Sequence, residues 1–241
     1  VNKGLIVNDL VKTYQHRRVV DGLSLQVSPG DVVGLLGPNG AGKTTAFHMI
    51  IGLIKPDQGS VFFDDHDITN LPMHFRSRLG VGYLAQEPSV FKDLTVEDNL
   101  LTVLEVVESC KDAIPQRRDG LLEEMGLSPY MRKKASTLSG GERRRLEIAR
   151  ALATRPKCLM LDEPFANIDP IAISDLKAMI HLLKSKGIGV LITDHNAREL
   201  IPVIDRGYLI ADGKVLRSGT ATELLGDAQA RARYFGEDFS L

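Results

Sequence analysis

The 241-residue sequence is poor in cysteine, has no long apolar run and carries no excess of either charge. Two cysteines, Cys110 and Cys158, cannot staple a secreted disulfide scaffold. Runs such as Cys158-Leu159-Met160-Leu161 and Ile188-Gly189-Val190-Leu191-Ile192 fall well short of the about 18 residues that span a bilayer. Val1-Asn2-Lys3-Gly4 shows no charged-then-apolar leader pattern, and a soluble cytosolic chain is expected. Lys and Arg number 30 against 31 Asp and Glu, so a polyanion partner such as DNA is not indicated. Apolar residues make up 43%, too many for a disordered chain and enough for one sizeable domain.

Leu23-Ser24-Leu25-Gln26-Val27 alternates with period two, as a half-buried strand does. Val32 to Leu36, Val81 to Ala85, Cys158 to Leu161 and Ile188 to Thr193 are nearly continuous apolar runs, the pattern of parallel strands covered on both faces. Helical periodicity lies between them, as in Leu176, Met179, Ile180 and Leu183. This alternation predicts an α/β core with a parallel sheet. Asp212-Gly213 reads as a hairpin turn. From about Leu94 to Ala153 the chain reads as helices (Val96 to Val107, Leu121 to Met125), a helical insertion. The last twenty residues read as a separate tail.

Three motifs carry chemistry. Gly37-Pro38-Asn39-Gly40-Ala41-Gly42-Lys43-Thr44-Thr45 fits G-x-x-x-x-G-K-[ST], after a buried run and before a helix. Glycines let backbone N–H groups wrap phosphate oxygens, and the helix N-terminus adds its positive dipole end. Lys43 then supplies charge near the β/γ-phosphates, and the Thr44 hydroxyl reaches Mg²⁺. Second, the run Cys158 to Leu161 ends in Asp162-Glu163. Carboxylates at the edge of a core are costly unless paired or bound to a cation. Asp162 is expected to hold Mg²⁺, and Glu163 to polarise an attacking water. Third, Ser139-Gly140-Gly141-Glu142 has the S-x-x-E form of a helix capping box. A capping box needs no glycines, so the pair points to close approach of an anion, economically the nucleotide of a second copy. The remaining features read blandly: His16, His48, His66, His74 and His181 as ordinary surface or core residues, Asp64-Asp65-His66-Asp67 as a polar hairpin turn, and Arg143-Arg144-Arg145 as a solvated helix face.

The P-loop, Gln86, Leu138-Ser139-Gly140-Gly141-Glu142, Asp162-Glu163 and the late His195, in that order, resemble the ATP-binding cassette transporter ATPases over nearly the whole chain. The resemblance implies an α/β fold: a P-loop NTPase (RecA-like) parallel-sheet core with an N-terminal antiparallel β subdomain and an inserted helical subdomain. One nucleotide-binding domain would cover 1–241, with core and β subdomain at 1–87 and 155–220, the helical signature subdomain at 88–154 and a C-terminal tail at 221–241. It implies ATP and Mg²⁺ as ligands and a head-to-tail homodimer enclosing two ATPs. Tyr14 would stack on adenine; Gly37, Pro38, Asn39, Gly40, Ala41, Gly42, Lys43, Thr44 and Thr45 would hold phosphates; Thr44, Gln86 and Asp162 would serve the metal. Glu163 would be the general base. His195 would contact the γ-phosphate, and Ser139, Gly140 and Gly141 the partner's nucleotide. Asp169 would lie at the dimer seam. Two integral-membrane permease subunits would dock near Gln86 and Phe91, leaving the chain peripheral on the cytoplasmic face of the inner membrane. It would contact neither cargo nor nucleic acid.

Finer features resemble the lipopolysaccharide-export branch: Leu138 to Arg150, Asp162 to Pro170, Ile192 to Glu199, and the ending Tyr234-Phe235-Gly236-Glu237-Asp238-Phe239. Asp194 precedes His195 and Asn196 follows it, where many cassettes place Asp after the histidine; Asn167 stands where Gly is common. Branched-chain amino-acid importer ATPases are the alternative. Soluble cassette ATPases acting on DNA or ribosomes are a more distant one, disfavoured by the balanced charge.

Overall fold

Alternating and continuous apolar strands sort into two sheets in the computed structural model, which describes residues 3–166 and 170–236. The first sheet is antiparallel, in the order β2-β1-β4-β5, from β1 (Leu5–Tyr14), β2 (Arg17–Val27), β4 (Gln58–Phe63) and β5 (His66–Asp67). The second runs β10-β9-β3-β8-β7-β6, from β3 (Val32–Leu36), β6 (Val81–Leu84), β7 (Cys158–Asp162), β8 (Gly189–Thr193), β9 (Arg206–Ala211) and β10 (Lys214–Thr220). Its pairings are parallel except for the β9–β10 hairpin, which turns at Asp212 (φ 50°) and Gly213 (φ 80°). Asp64 (φ 51°) likewise turns the β4–β5 hairpin.

β3, β7 and β8 are buried along their whole length. Their side chains alternate between two cores, as the pleat requires. Val33, Leu35, Cys158, Met160 and Leu191 pack toward the antiparallel sheet and helix α1 (Lys43–Ile51). Val32, Leu36, Leu159, Leu161, Val190 and Ile192 pack toward the helical side. That side holds α3 (Val96–Val107), α4 (Ile114–Glu124), α5 (Gly140–Ala153) and α6 (Pro170–Ser185). A short α2 (Met73–Leu79) places the buried Arg76 against the C-terminal end of α1, where its guanidinium donates to the carbonyls of Met49 and Ile50. Those carbonyls have no partner within α1, and a cation there also meets the negative end of the helix dipole.

After α7 (Ala197–Leu200) and the β9–β10 hairpin, the chain does not leave the body as a separate tail. The Thr220–Glu223 capping box starts α8 (Ala221–Gly226). Leu224, Ala230 and Phe235 are buried in the helical-side core, with Leu224 against Gly207 of β9. Among the described residues, no helix is long and apolar enough to cross a membrane.

Candidate functional site

In a parallel sheet all strands end on one edge, and the loops that follow them meet there. The P-loop follows β3, Gln86 follows β6, Asp162 closes β7 with Glu163 next, and His195 lies two residues beyond β8. Chemistry read from four separated stretches therefore collects at one edge.

Two glycines of the loop 37–42 sit where a side chain would collide with a neighbouring backbone. Gly37 (φ 151°) would bring a Cβ to 2.3 Å from the Ile210 carbonyl oxygen, and Gly42 (φ 104°) to 2.4 Å from that of Val19. Gly42 is also the N-cap of α1 and provides no side-chain cap, so the first amides of the helix are left for an external acceptor. Gly42→Ala should cost about 1–3 kcal/mol of stability through backbone strain. Urea denaturation checks this; an unchanged midpoint would contradict the tight fit. Pro38, Asn39, Gly40 and Thr44 are exposed, Thr45 is half-buried, and Gly37, Ala41 and Gly42 are buried.

Lys43 is only 6% exposed. Its ammonium donates to the carbonyl oxygens of Gly37 at 2.6 Å and Pro38 at 3.0 Å, so it curls back over the loop. Burial lowers its pKa, and Glu163, Asp194 and Asp162 oppose that by their charge. One cation thus faces three carboxylates.

Asp162 is buried and its pKa is raised, chiefly by burial. Tyr83, on the neighbouring strand β6, donates its hydroxyl to Asp162 Oδ2 at 3.3 Å. Burial, with Asp162 adding, pushes the Tyr83 phenol up to about 12. Asp162 Oδ1 is buried with no hydrogen-bond partner among the described residues. A buried, orphaned carboxylate oxygen is a hard donor suited to Mg²⁺.

Glu163 has φ 43°, the left-handed region that costs a non-glycine residue about 1–2 kcal/mol. Its amide donates to the Thr193 carbonyl at 2.7 Å, which holds the turn against β8. Two side chains converge on one of its oxygens: Gln86 Nε2 donates to Glu163 Oε2 at 2.9 Å, and His195 Nδ1 lies 3.4 Å from that same oxygen. The structure therefore brings Lys43, Gln86, Asp162, Glu163 and His195 into one cluster.

Other predicted residues stand apart. Tyr14 ends β1, is 44% exposed, and has its ring centre 5.6 Å from the Lys12 ammonium. Ser139 caps α5: its Oγ accepts the Glu142 amide at 3.2 Å, and its own amide donates to Glu142 Oε2 at 2.7 Å. A Cβ on Gly140 would meet nothing within 4 Å, and one on Gly141 only Ala172 Cβ at 3.4 Å. Among the described residues, no hydrogen bond or ion pair joins Ser139, Gly140 or Gly141 to the Lys43 cluster. Asp169 and Asn167 lie outside the described residues.

The arginine run is not a uniformly solvated face. Arg144 is 8% exposed and bridges Glu147, itself buried, at 2.8 Å. Glu147 accepts the Ser89 amide at 2.9 Å, and Arg150 donates to the Ser89 carbonyl, so α5 anchors the segment just after Gln86. The period of α5 turns Arg144 and Glu147 inward together, three residues apart. Phe91, 50% exposed, lies 4.8 Å from the Arg150 guanidinium.

Tyr83, Asp194 and Tyr234 also belong to the site, though no motif gives them a role. The Tyr234 hydroxyl is buried near the Gly37 amide and Asp194, and burial pushes its phenol up to about 12. A period-two reading of Val81 to Leu84 was the signal available for Tyr83, which shares its face with no core residue of the helical side.

A strand, a glycine-rich phosphate loop and a helix, with a strand-end acid pair on the same sheet edge, define a P-loop nucleoside triphosphatase. The family model "ABC transporter" matches residues 20–166. An ABC transporter ATP-binding protein of Rhizobium meliloti is 53% identical, covering 98% of this chain and 88% of that one. The lipopolysaccharide export system ATP-binding protein LptB of Haemophilus influenzae is 50% identical over 98% of this chain and 99% of its own. Among solved structures, MJ1267, an ATP-binding cassette of an ABC transporter in its ADP conformation, superposes with a TM-score of 0.88 at 31% identity, covering 98% of this chain and 100% of that one. The chain belongs to the ABC transporter ATPases. It binds and hydrolyses ATP, and subunits of this kind act as dimers with membrane permeases.

Proposed function

We propose that this chain is the ATP-hydrolysing subunit of a lipopolysaccharide exporter, working as a head-to-tail homodimer on the cytoplasmic face of the inner membrane. The identity to LptB over almost the entire length of both proteins supports the cargo class. The convergence of Gln86 and His195 on the carboxylate of Glu163 is the observation that carries the hydrolytic reading.

The P-loop amides, Lys43, Thr44 and Thr45 hold the phosphates of ATP, and Tyr14 stacks on its adenine. Glu163 accepts a proton from a water whose oxygen attacks the γ-phosphorus as the bond to the β–γ bridging oxygen breaks; ADP leaves and the proton passes to the released phosphate. His195 steadies the charge on the γ-phosphoryl oxygens, and Gln86 reports on it. Thr44, Gln86 and Asp162 would hold Mg²⁺, which neutralises developing charge on the phosphates when bound.

Ser139, Gly140 and Gly141 serve the partner copy's nucleotide. Their glycines are not demanded by this chain's own packing, since Gly140 faces open space. Asp169 belongs at the seam between copies. Segments 1–87 and 155–220 form the nucleotide-binding core, 88–154 the signature subdomain, and 221–241 a C-terminal segment. The permeases dock near Gln86 and Phe91, where α5 braces the intervening backbone.

Ser139→Ala should cut hydrolysis while leaving ATP binding by the isolated monomer intact, at a stability cost of about 1 kcal/mol from the lost cap. Nucleotide titration and turnover, measured side by side, check this; collapse of monomer binding would contradict the role toward the partner copy. Co-purification from native membranes, read by mass spectrometry, tests the cargo class. Permeases bearing large periplasmic domains are expected, and importer permeases with a substrate-binding protein would overturn it.

A further inference from the structure

Glu163 and His195 sit on separate turns, after β7 and β8, and one side chain joins the two. Asp194 is fully buried, at 0% exposed. Its Oδ2 accepts the backbone N–H of Phe165 at 2.9 Å, two residues beyond Glu163. Its Oδ1 accepts the backbone N–H of Asn196 at 2.8 Å, one residue beyond His195. The same Oδ1 lies 3.7 Å from His195 Nδ1. Phe165 and Asp194 are 29 residues apart in sequence, so this contact is a tertiary strut and not a local turn.

A carboxylate in such a place is costly unless donors meet both oxygens. Burial raises its pKa, and the amides of Asn196 and Phe165 and the charge of His195 work against that rise. Glu163 and Lys43 also face it, as does Tyr234 from the C-terminal segment, whose hydroxyl is buried. Neither the phosphate-binding loop nor the predicted metal ligands use this side chain. What it touches is the backbone immediately beyond the two hydrolytic residues.

We propose that Asp194 is a positioning residue that locks the Glu163 turn to the His195 turn by accepting one backbone amide from each. The inference rests on the reading of Glu163 and His195 as the hydrolytic pair. It explains why an acid precedes the histidine. Serine or threonine would offer a single oxygen for two amides. Asparagine would offer one acceptor and turn an NH₂ toward the other N–H, leaving two donors opposed. With the strut broken, each turn keeps its own residue, but the carboxylate and the imidazole no longer hold a fixed separation. Placement errors near 1 Å are enough to cost about 100-fold in rate.

The test uses the full chain. Asp194→Asn should lower kcat about 10–100-fold without weakening ATP binding more than about threefold, because no phosphate-binding group is removed and one carboxylate facing Lys43 is lost. Combined with His195→Ala, it should lose little beyond the larger single loss, since both changes disable the same arrangement. A kcat within about twofold of wild type, or losses that multiply in the double variant, would overturn the proposal. Should Asp194→Asn not fold, phenyllactic acid placed at position 165 replaces the Phe165 N–H by an ester oxygen and keeps every side chain. It should lower kcat at least about fivefold at constant Kd, and an unchanged kcat would overturn the strut. Glu163→Gln is measured in parallel. If that variant turns over normally, the reading of the hydrolytic pair fails; if it is dead while Asp194→Asn is fully active, only the strut fails.

Discussion

Glu163→Gln is expected to bind ATP at least as tightly as the wild-type chain and to hydrolyse it at least about 100-fold more slowly. The side-chain amide keeps the size of the carboxylate, so the φ 43° turn, the backbone N–H hydrogen bond to the Thr193 carbonyl and an oxygen for Gln86 can all persist. What goes is the basicity, and with it the proposed acceptor for the proton of the attacking water. One of the three negative charges facing Lys43 is also removed, which favours retention of an anionic nucleotide. Steady-state turnover and equilibrium nucleotide binding separate the two effects. Wild-type turnover would remove Glu163 from the chemistry.

Lys43→Ala should fail earlier, at binding. The ammonium is nearly buried and held by two loop carbonyls, a position from which it can turn to phosphate oxygens without crossing bulk water. Charge-assisted contacts of this kind contribute about 1.5–3 kcal/mol each, so the loss of ATP affinity should be about 100-fold or more. The deletion also leaves Asp162, Glu163 and Asp194 facing one another without a cation, which adds repulsion against the nucleotide. Calorimetric titration checks this, and an affinity within about threefold of wild type would show that the cradle works without its lysine. Together the two variants divide the site: one fails at binding and the other at turnover.

The sheet core was legible because parallel strands covered on both faces must be apolar throughout, and β3, β7 and β8 are. The hairpin at Asp212-Gly213 was legible because it needs two residues that accept positive φ. β1 was not: register shifts between Val7 and Leu10, with Asp9 at φ 46°, break the alternation that marks a strand. The segment 221–236 read as a tail because its apolar residues fall in short helical turns with no long periodic stretch, yet Leu224, Ala230 and Phe235 complete the core. Within the site, motif spacing indicated the P-loop, Asp162 and Glu163, while the loops placed Gln86 and His195 against one oxygen. Asp194 escaped because its partners are backbone amides, which leave no trace in side-chain patterns. The inward turn of Arg144 depended on Glu147 and the Ser89 amide across 58 residues of sequence, a pairing that no local charge run reveals.

We expect each ATPase site to be composite, the P-loop face of one copy closed by the signature face of another. Sedimentation velocity of the Glu163→Gln chain with ATP tests it most directly. A dimer that forms with ATP, reverts to monomer with ADP, and is lost when Ser139→Ala is added is the predicted result. A chain that stays monomeric with ATP bound, at concentrations where the wild type hydrolyses it, would contradict the composite site.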